Sequence, residues 1–140
     1  MLAAPRTTVY RHQVRYLEAD QQGVVFNMWF LGYFDEALAA YLAEGGLPYR
    51  AMLDQGYDVQ LVHTEIDWKA PLRWPDEATV EVTLAESGRT SFALSFTVRT
   101  GGTLVASGRT VYVVVGVDGS GKRAIPEPLA TALGVPAGEP

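Results

Sequence analysis

The sequence predicts an α+β domain in which one long helix packs against a curved antiparallel sheet of about five strands. One segment, residues 26–42, is apolar almost all round and has its largest side chains at helical spacing. After Gly56, apolar and polar residues alternate in segments separated by short glycine-containing turns, which is typical of strands joined by hairpins. A single sheet that covers one such helix must curl around it.

The predicted helix is preceded by one strand and followed by a short second helix. Residues 9–17 alternate between apolar and polar side chains and are predicted to be a strand. The long helix ends where Gly45-Gly46 is followed by Pro48, a sequence that stops a helix. Residues 48–55 then fit the short second helix.

The rest of the chain supplies the other strands. They are predicted at residues 57–69, 78–86, 91–99 and 104–117, with hairpin turns at residues 87–90 and 100–103. The last of these strands is the longest and most apolar, so we expect it inside the sheet. Residues 126–133 fit a short helix. We expect one domain over residues 1–140, with residues 1–7 and 134–140 as loose tails.

Composition excludes several classes of function. The 140 residues carry a net charge of −5, which argues against nucleic acid and anionic membranes as partners, because both select basic surfaces. The absence of cysteine excludes disulfides, thiolate zinc sites and a cysteine nucleophile. Without a signal-like N-terminus or a membrane-spanning run, a cytoplasmic protein is expected. Only 19% of residues are charged, so we expect another subunit to cover part of the apolar surface.

An acidic residue precedes the glycine turn that leads into the long helix, in the run Asp20-Gln21-Gln22-Gly23-Val24-Val25-Phe26-Asn27. The first N–H groups of a helix have no partner within it, and the helix dipole makes that end partly positive. A base or nucleophile that faces such donors is the minimum apparatus for hydrolysing an activated acyl group. Taken alone, the pattern is equally typical of an aspartate that only forms the turn.

Several segments of the chain together resemble a known family. They are residues 16–26 and 30–37 around this run, residues 67–73 with 76–77, and residues 88–92 and 106–113. They are similar to hotdog-fold thioesterases of the 4-hydroxybenzoyl-CoA thioesterase and short-chain acyl-CoA thioesterase type. The resemblance covers about residues 9–128 in order. It implies the hotdog fold, a dimer or a dimer of dimers (a homotetramer), and hydrolysis of an acyl- or aroyl-CoA thioester at the dimer interface. It implies neither a metal nor another cofactor.

The resemblance also assigns roles to residues. Asp20 matches the catalytic acid, as general base or nucleophile, and the backbone N–H of Asn27 matches the amide that polarises the thioester carbonyl. Arg89 is the candidate contact for the CoA nucleotide, with Thr90 and Ser91 as additional hydroxyl donors. The predicted substrate-binding residues are Gly23, Val25, Phe26, Trp29, Arg89, Thr90 and Ser91.

The chain departs from the family pattern just after the glycine turn. Many relatives have His or Tyr there, followed by a pair that ends in Asn, whereas this chain reads Asn27-Met28-Trp29. The backbone N–H of Asn27 can still act as the donor. Any contribution from the side chain that relatives have at this position does not carry over to this chain. Trp29 is expected to narrow or reshape the acyl pocket.

Several other residues have more than one interpretation. Glu36 is the rival catalytic acid, since another branch of hotdog proteins carries its acid on this helix, but we expect it to face solvent. Glu18 is expected to be a solvated glutamate at the end of a strand. His12 and His63 are expected to be structural or surface histidines. Gly32 is expected to allow close packing against the sheet or an opposing helix.

Two other functions stay open. One is a non-catalytic module of the same fold that binds acyl thioesters, and the other is a thioesterase that acts on an acyl carrier protein. A hydratase is disfavoured, because that chemistry needs an Asp/His pair around the helix and no histidine lies between residues 13 and 62.

Overall fold

The computed structural model describes residues 6–135, in which one long helix lies across a single antiparallel sheet. The elements are β1 (Thr7–Gln13), a 3-10 turn (Tyr16–Glu18), α1 (Trp29–Glu44), α2 (Tyr49–Asp54), β2 (Tyr57–Trp68), β3 (Glu77–Ser87), β4 (Ser91–Thr100), β5 (Thr103–Gly116) and α3 (Glu127–Leu133). The strands are adjacent in the order β1-β3-β4-β5-β2. The predicted α+β class, with five strands and a long helix, is confirmed.

The first strand and the long helix have different bounds from those predicted. β1 ends at Gln13, which pairs with Glu77, and one further in-register bond follows, from the backbone N–H of Val14 to the carbonyl of Asp76 at 2.9 Å. α1 begins at Trp29 rather than residue 26. The N–H groups of Val25 and Phe26 donate instead to the carbonyls of Leu72 and Glu18, so this backbone is held in an extended arrangement.

The core lies between one face of α1 and the concave face of the sheet. Phe34 of α1 stacks on Phe96 of β4, with ring centroids 4.3 Å apart and planes within 5° of parallel. Gly108 of β5 lies opposite Phe96 in the ladder. A Cβ at this position would lie 2.6 Å from Cε2 of Phe34, so only glycine lets the ring approach the sheet this closely.

The sheet is bent where its register shifts. Irregularities of the β-bulge type occur in β2 between Leu61 and His63, in β3 between Leu84 and Glu86, and in β5 between Leu104 and Ala106. Bulges bend a strand and increase its twist. They therefore let the sheet curl around α1, as the sequence predicts.

The described ends of the chain are fastened to the core. The Arg6 guanidinium donates to the carbonyls of Tyr41 and Ala132 at 2.7 and 2.6 Å, and its carbon lies 3.8 Å from the centre of the Tyr41 ring. Arg6 and Thr7, which we expected in a loose tail, are thus held in place. At the other end, Gly134 terminates α3 in the left-handed conformation. The rest of the predicted tails, residues 1–5 and 136–140, lies outside the described residues.

The face of α1 opposite the core is exposed in the single chain. Met28 and Leu31 are 60% and 37% exposed, and Gly32 is also exposed. No atom lies within 4 Å of the position that a Cβ on Gly32 would take. The close packing expected at Gly32 is therefore absent within residues 6–135. No helix in this part of the chain is both long enough and apolar enough to cross a membrane.

Candidate active site

Asp20 lies at the tip of a small hairpin between β1 and α1. Its backbone N–H donates to the carbonyl of Val24 at 2.8 Å, and its own carbonyl accepts from Gly23 at 2.9 Å. Gly23 has φ of 75°, a left-handed conformation that glycine adopts without strain. An antiparallel bridge pairs Ala19 with Val25 at the base. The hairpin therefore accounts for the order of residues here: the acid Asp20, then the glycine Gly23 in the turn, then the apolar Val25 at the base.

The Asp20 carboxylate uses one of its two oxygens to stabilise the turn. Oδ1 accepts the backbone N–H of Gln22 at 2.8 Å and that of Val24 at 3.3 Å. Oδ2 makes no hydrogen bond with residues 6–135, and the side chain is exposed. Asp20 is therefore both a turn former and a carboxylate with one oxygen open to a ligand or water.

The Asp20 hairpin is fastened to the loop between β2 and β3. Val24 pairs with Arg73 as an isolated antiparallel bridge, and the N–H of Trp74 donates to the Gly23 carbonyl at 3.2 Å. Val25 donates to the Leu72 carbonyl at 2.7 Å. Val25 is also buried in the core, so its side chain anchors the hairpin, and its role in substrate binding stays a prediction.

Two backbone N–H groups at the start of α1 have no acceptor within the part of the chain that the structure describes. Among residues 6–135, neither Asn27 nor Met28 donates its N–H to another group, whereas Trp29 donates to the carbonyl of Phe26 at 3.0 Å. Both residues are exposed. At the positive end of a 16-residue helix, such donors attract an anion or a polarised carbonyl oxygen.

An apolar groove of about 410 Å³ opens beside these N–H groups. Its walls come from the start of α1 and from the second half of β2: Phe26, Asn27, Met28, Leu31, Thr64, Ile66 and Trp68. Trp29 is absent from this wall. It lines a separate depression with Tyr10 and Glu36, because successive helix residues point about 100° apart. The predicted effect of Trp29 on the acyl pocket stays a prediction, since Trp29 does not line this groove.

Glu18 is not the solvated residue that we expected. Its side chain is completely buried. Oε1 accepts the hydroxyl of Tyr33 at 2.6 Å, the Nε2 of His12 at 2.8 Å and the backbone N–H of Arg15 at 3.1 Å. Oε2 accepts the Nε of Arg15 at 2.8 Å. Burial alone would raise the pKa of Glu18, but the hydrogen bonds from Tyr33, His12 and Arg15 outweigh it and lower the pKa to about 2.

The predicted CoA-binding residues lie at the opposite end of the sheet from Asp20. Arg89, Thr90 and Ser91 follow β3, whereas the loop that fastens the Asp20 hairpin precedes β3. β3 has 11 residues. At about 3.3 Å per residue, the two ends are roughly 35 Å apart. The structure therefore does not bring the two halves of the predicted site together within one chain.

A second cavity, of about 310 Å³, lies at the Arg89 end between α1, α2 and the first half of β2. Leu38, Leu42 and Val59 are among its apolar walls. Tyr112 also lines it, and its buried hydroxyl has no hydrogen-bond partner among the described residues. Burial, and then the nearby Asp35 carboxylate, raise the pKa of Tyr112. The cavity thus combines apolar walls with an unused hydrogen-bonding group.

Comparisons with known proteins place the chain in a family. It matches the thioesterase-like superfamily over residues 14–133. A protein of Aquifex aeolicus (strain VF5) is 34% identical over 107 residues, which cover 76% of this chain and 84% of that protein. The crystal structure of a 1,4-dihydroxy-2-naphthoyl-CoA thioesterase from Synechocystis is similar with a TM-score of 0.83 and 26% identity, and covers 91% of this chain and 96% of that one. The crystal structure of BH1999, a gentisyl-coenzyme A thioesterase, is similar with the same TM-score and the same identity. The match covers 90% of this chain and 99% of that one.

The chain belongs to the thioesterase-like superfamily. Its sheet and helix have the hotdog arrangement, so the predicted fold is confirmed. The predicted class of enzyme, a thioesterase, is confirmed as well.

Proposed function

We propose that this chain hydrolyses acyl- or aroyl-CoA thioesters, with Asp20 as the catalytic carboxylate and the backbone N–H of Asn27 as the oxyanion donor. One observation carries the proposal. Asp20 precedes the end of α1 at which two N–H groups have no acceptor among residues 6–135, and its exposed Oδ2 accepts no hydrogen bond from those residues. The apolar groove opens beside these N–H groups. A carboxylate, oxyanion donors and an acyl-binding surface are what thioester hydrolysis requires.

The reaction uses each group in turn. The thioester carbonyl oxygen accepts the N–H of Asn27, with Met28 as a second donor, and the positive end of α1 stabilises the charge that develops on it. Asp20 either removes a proton from the attacking water or attacks the carbonyl carbon itself to form an anhydride, which water then hydrolyses. The C–S bond breaks, CoA leaves as the thiol and the acyl group leaves as the free acid. Loss of one oxyanion donor typically costs about 100- to 1000-fold in rate.

A dimer through β2 would complete the site. β2 is a 12-residue edge strand that pairs with β5 alone among the strands of residues 6–135, and it exposes Leu61 and Val62 by 40% and 54%. A long exposed edge strand is a template for pairing with another strand. If two copies pair their β2 strands antiparallel about a twofold axis, the Asp20 end of one copy lies beside the Arg89 end of the other. Arg89, Thr90 and Ser91 would then reach the CoA moiety of a substrate held at the partner's Asp20.

The same arrangement suggests what the acyl group is. Across the twofold axis, the cavity lined by Tyr112 in one copy would lie beside the apolar groove of the other. Its apolar walls suit an aromatic ring, and the unpartnered Tyr112 hydroxyl suits a polar substituent on that ring. The two solved relatives named above carry hydroxylated aroyl groups in their names. We therefore favour a hydroxylated aroyl-CoA over a saturated acyl-CoA.

The test is thiol release from a panel of CoA thioesters with acetyl, hexanoyl, benzoyl and hydroxylated benzoyl or naphthoyl groups. The proposal predicts turnover, with the highest kcat/KM on a hydroxylated aroyl group. The preference would be lost in a Tyr112→Phe variant, which keeps the ring and removes the hydroxyl. A highest kcat/KM on a saturated acyl group would overturn the aroyl assignment. Binding without turnover of any member would instead support the non-catalytic module.

A further inference from the structure

We infer that Glu18 is a positioning residue of this site, because its buried carboxylate ties the hairpin that carries Asp20 to both β1 and α1. The inference rests on the proposed thioesterase function. Glu18 itself does not reach a substrate, since its side chain is completely buried and both of its oxygens accept hydrogen bonds from protein groups.

The four hydrogen bonds to the carboxylate come from three residues in different parts of the fold. His12 belongs to β1, Arg15 immediately precedes the 3-10 turn, and Tyr33 belongs to the second turn of α1. The Tyr33 hydroxyl is the shortest contact, at 2.6 Å, and is itself buried. One carboxylate thus joins three elements whose relative placement sets the start of α1.

The backbone of Glu18 continues the same connection into the Asp20 hairpin. Its carbonyl accepts the N–H of Phe26 at 3.0 Å, and the next residue, Ala19, bridges to Val25. Glu18 therefore forms the base of the hairpin through its main chain while its side chain holds α1. The Asp20 carboxylate lies two residues after this anchor, and the Asn27 N–H follows Phe26 directly.

Few other contacts can fix the hairpin against the helix. Asp20, Gln21 and Gln22 are exposed, and only Val25 of the hairpin is buried in the core. Among residues 6–135, the hydrogen bonds of the hairpin outside itself go to residues 72–74, to Glu18 and, from Ala19, to the carbonyl of Tyr16. The contacts with residues 72–74 join the hairpin to a loop, whereas the Tyr33–Glu18 bond joins it to α1. A catalytic group displaced by about 1 Å can lose a hundredfold in rate.

The experiment compares Glu18→Gln and Tyr33→Phe with Glu81→Gln as the matched control. Glu81 is a half-exposed carboxylate on β3 whose partner is Arg99, 3.3 Å away. Glu18→Gln and Tyr33→Phe should each lower kcat by about 10- to 100-fold. KM should change by less than about threefold, because the groove and the Arg89 end are untouched. Glu81→Gln should leave kcat and KM as in the wild type.

A second background separates positioning from simple loss of folded protein. In the Asp20→Asn variant, Glu18→Gln should reduce the residual rate by less than about threefold, because the group it positions is already inactive. If Glu18 only stabilised the fold, the same 10- to 100-fold loss would recur in that background, and the inference would be wrong. Unchanged kcat in both single variants would also overturn it.

Hydrogen exchange gives a readout that does not depend on activity, which matters if the wild type hydrolyses no thioester. The N–H groups of Asp20, Val25 and Phe26 are hydrogen-bonded within the hairpin or to its supports. Glu18→Gln and Tyr33→Phe should speed exchange over residues 19–26 more than tenfold, while β4 and β5 should change by no more than the measured free energy of unfolding of each variant accounts for. Unaltered exchange over residues 19–26 would overturn the positioning role. Absence of turnover with faster exchange would overturn only the proposed function.

Discussion

Replacing Glu18 with glutamine should change how the stability of this protein depends on pH. Glutamine keeps the volume of the side chain and can still accept the bonds that now go to Oε1. Its amide group would face the Nε of Arg15, and it carries no charge to strengthen the bonds from His12 and Tyr33. The variant therefore removes an ionised, buried hydrogen-bond acceptor and creates no cavity.

The magnitude follows from the pKa of Glu18, which lies at about 2 in the folded protein against an ordinary value of 4.5. Because a tenfold change in proton affinity corresponds to about 1.4 kcal/mol, ionised Glu18 contributes on the order of 3 kcal/mol to the free energy of unfolding. A lowered folded-state pKa gives stability that is fully present above the unfolded pKa and is lost as the pH falls towards the folded one. Between pH 6 and pH 3, about 2 kcal/mol should be lost.

The assay is urea unfolding of the wild type, Glu18→Gln and Glu81→Gln at pH 6, 5, 4 and 3. The difference between wild type and Glu18→Gln should shrink by about 2 kcal/mol across this range. Glu81→Gln, which removes an exposed ion pair, should stay within about 0.5 kcal/mol of the wild type. A wild-type to Glu18→Gln difference that does not vary with pH would refute the assignment of Glu18 as the ionised, buried acceptor.

Three further predictions test the core, the interface and the CoA end. Gly108→Ala should lower the free energy of unfolding by about 1–3 kcal/mol, because its Cβ would press on the Phe34 ring. Chemical denaturation measures this change, and an unchanged unfolding midpoint would contradict the observed packing of Phe34 on the sheet. Val62→Asp should shift the protein towards monomer in sedimentation experiments, because it places like charges on the paired β2 edges, and an unshifted oligomer would exclude β2 as the interface. Arg89→Ala should raise KM for CoA thioesters by about tenfold with little change in kcat, since one charge-assisted phosphate contact contributes on the order of 1.5–3 kcal/mol. As the control, Arg99→Ala should leave KM unchanged.

Much of the fold could be predicted from the sequence because it is written in local periodicity. Residues 57–69, 78–86, 91–99 and 104–117 alternate in the pattern of strands, and each lies within a residue or two of an observed one. The start of α1 was harder to predict from the sequence. Its position depends on bonds from Val25 and Phe26 to Leu72 and Glu18, and such long-range pairing leaves no local pattern.

The candidate site was predicted only in part for a related reason. The acid Asp20, the glycine of the turn and the apolar residues after it lie close together in the sequence. The turn can therefore be inferred from the sequence. Glu18 gave no comparable signal, because its donors on His12 and Tyr33 come from different elements and meet only after the chain has turned. The sequence predicts a solvated glutamate at the end of a strand, whereas the 3-10 turn directs Glu18 into the protein interior.

The most direct test of the central claim is the kcat of Asp20→Asn measured beside that of Glu36→Gln on the best CoA thioester. Asparagine keeps the Oδ1 that accepts from Gln22 and Val24, so the turn survives while the base or nucleophile is removed. We predict that Asp20→Asn lowers kcat by about a thousandfold at unchanged stability, and that Glu36→Gln retains wild-type turnover. Full turnover in Asp20→Asn, with loss in Glu36→Gln, would contradict the account and move the catalytic acid to the helix.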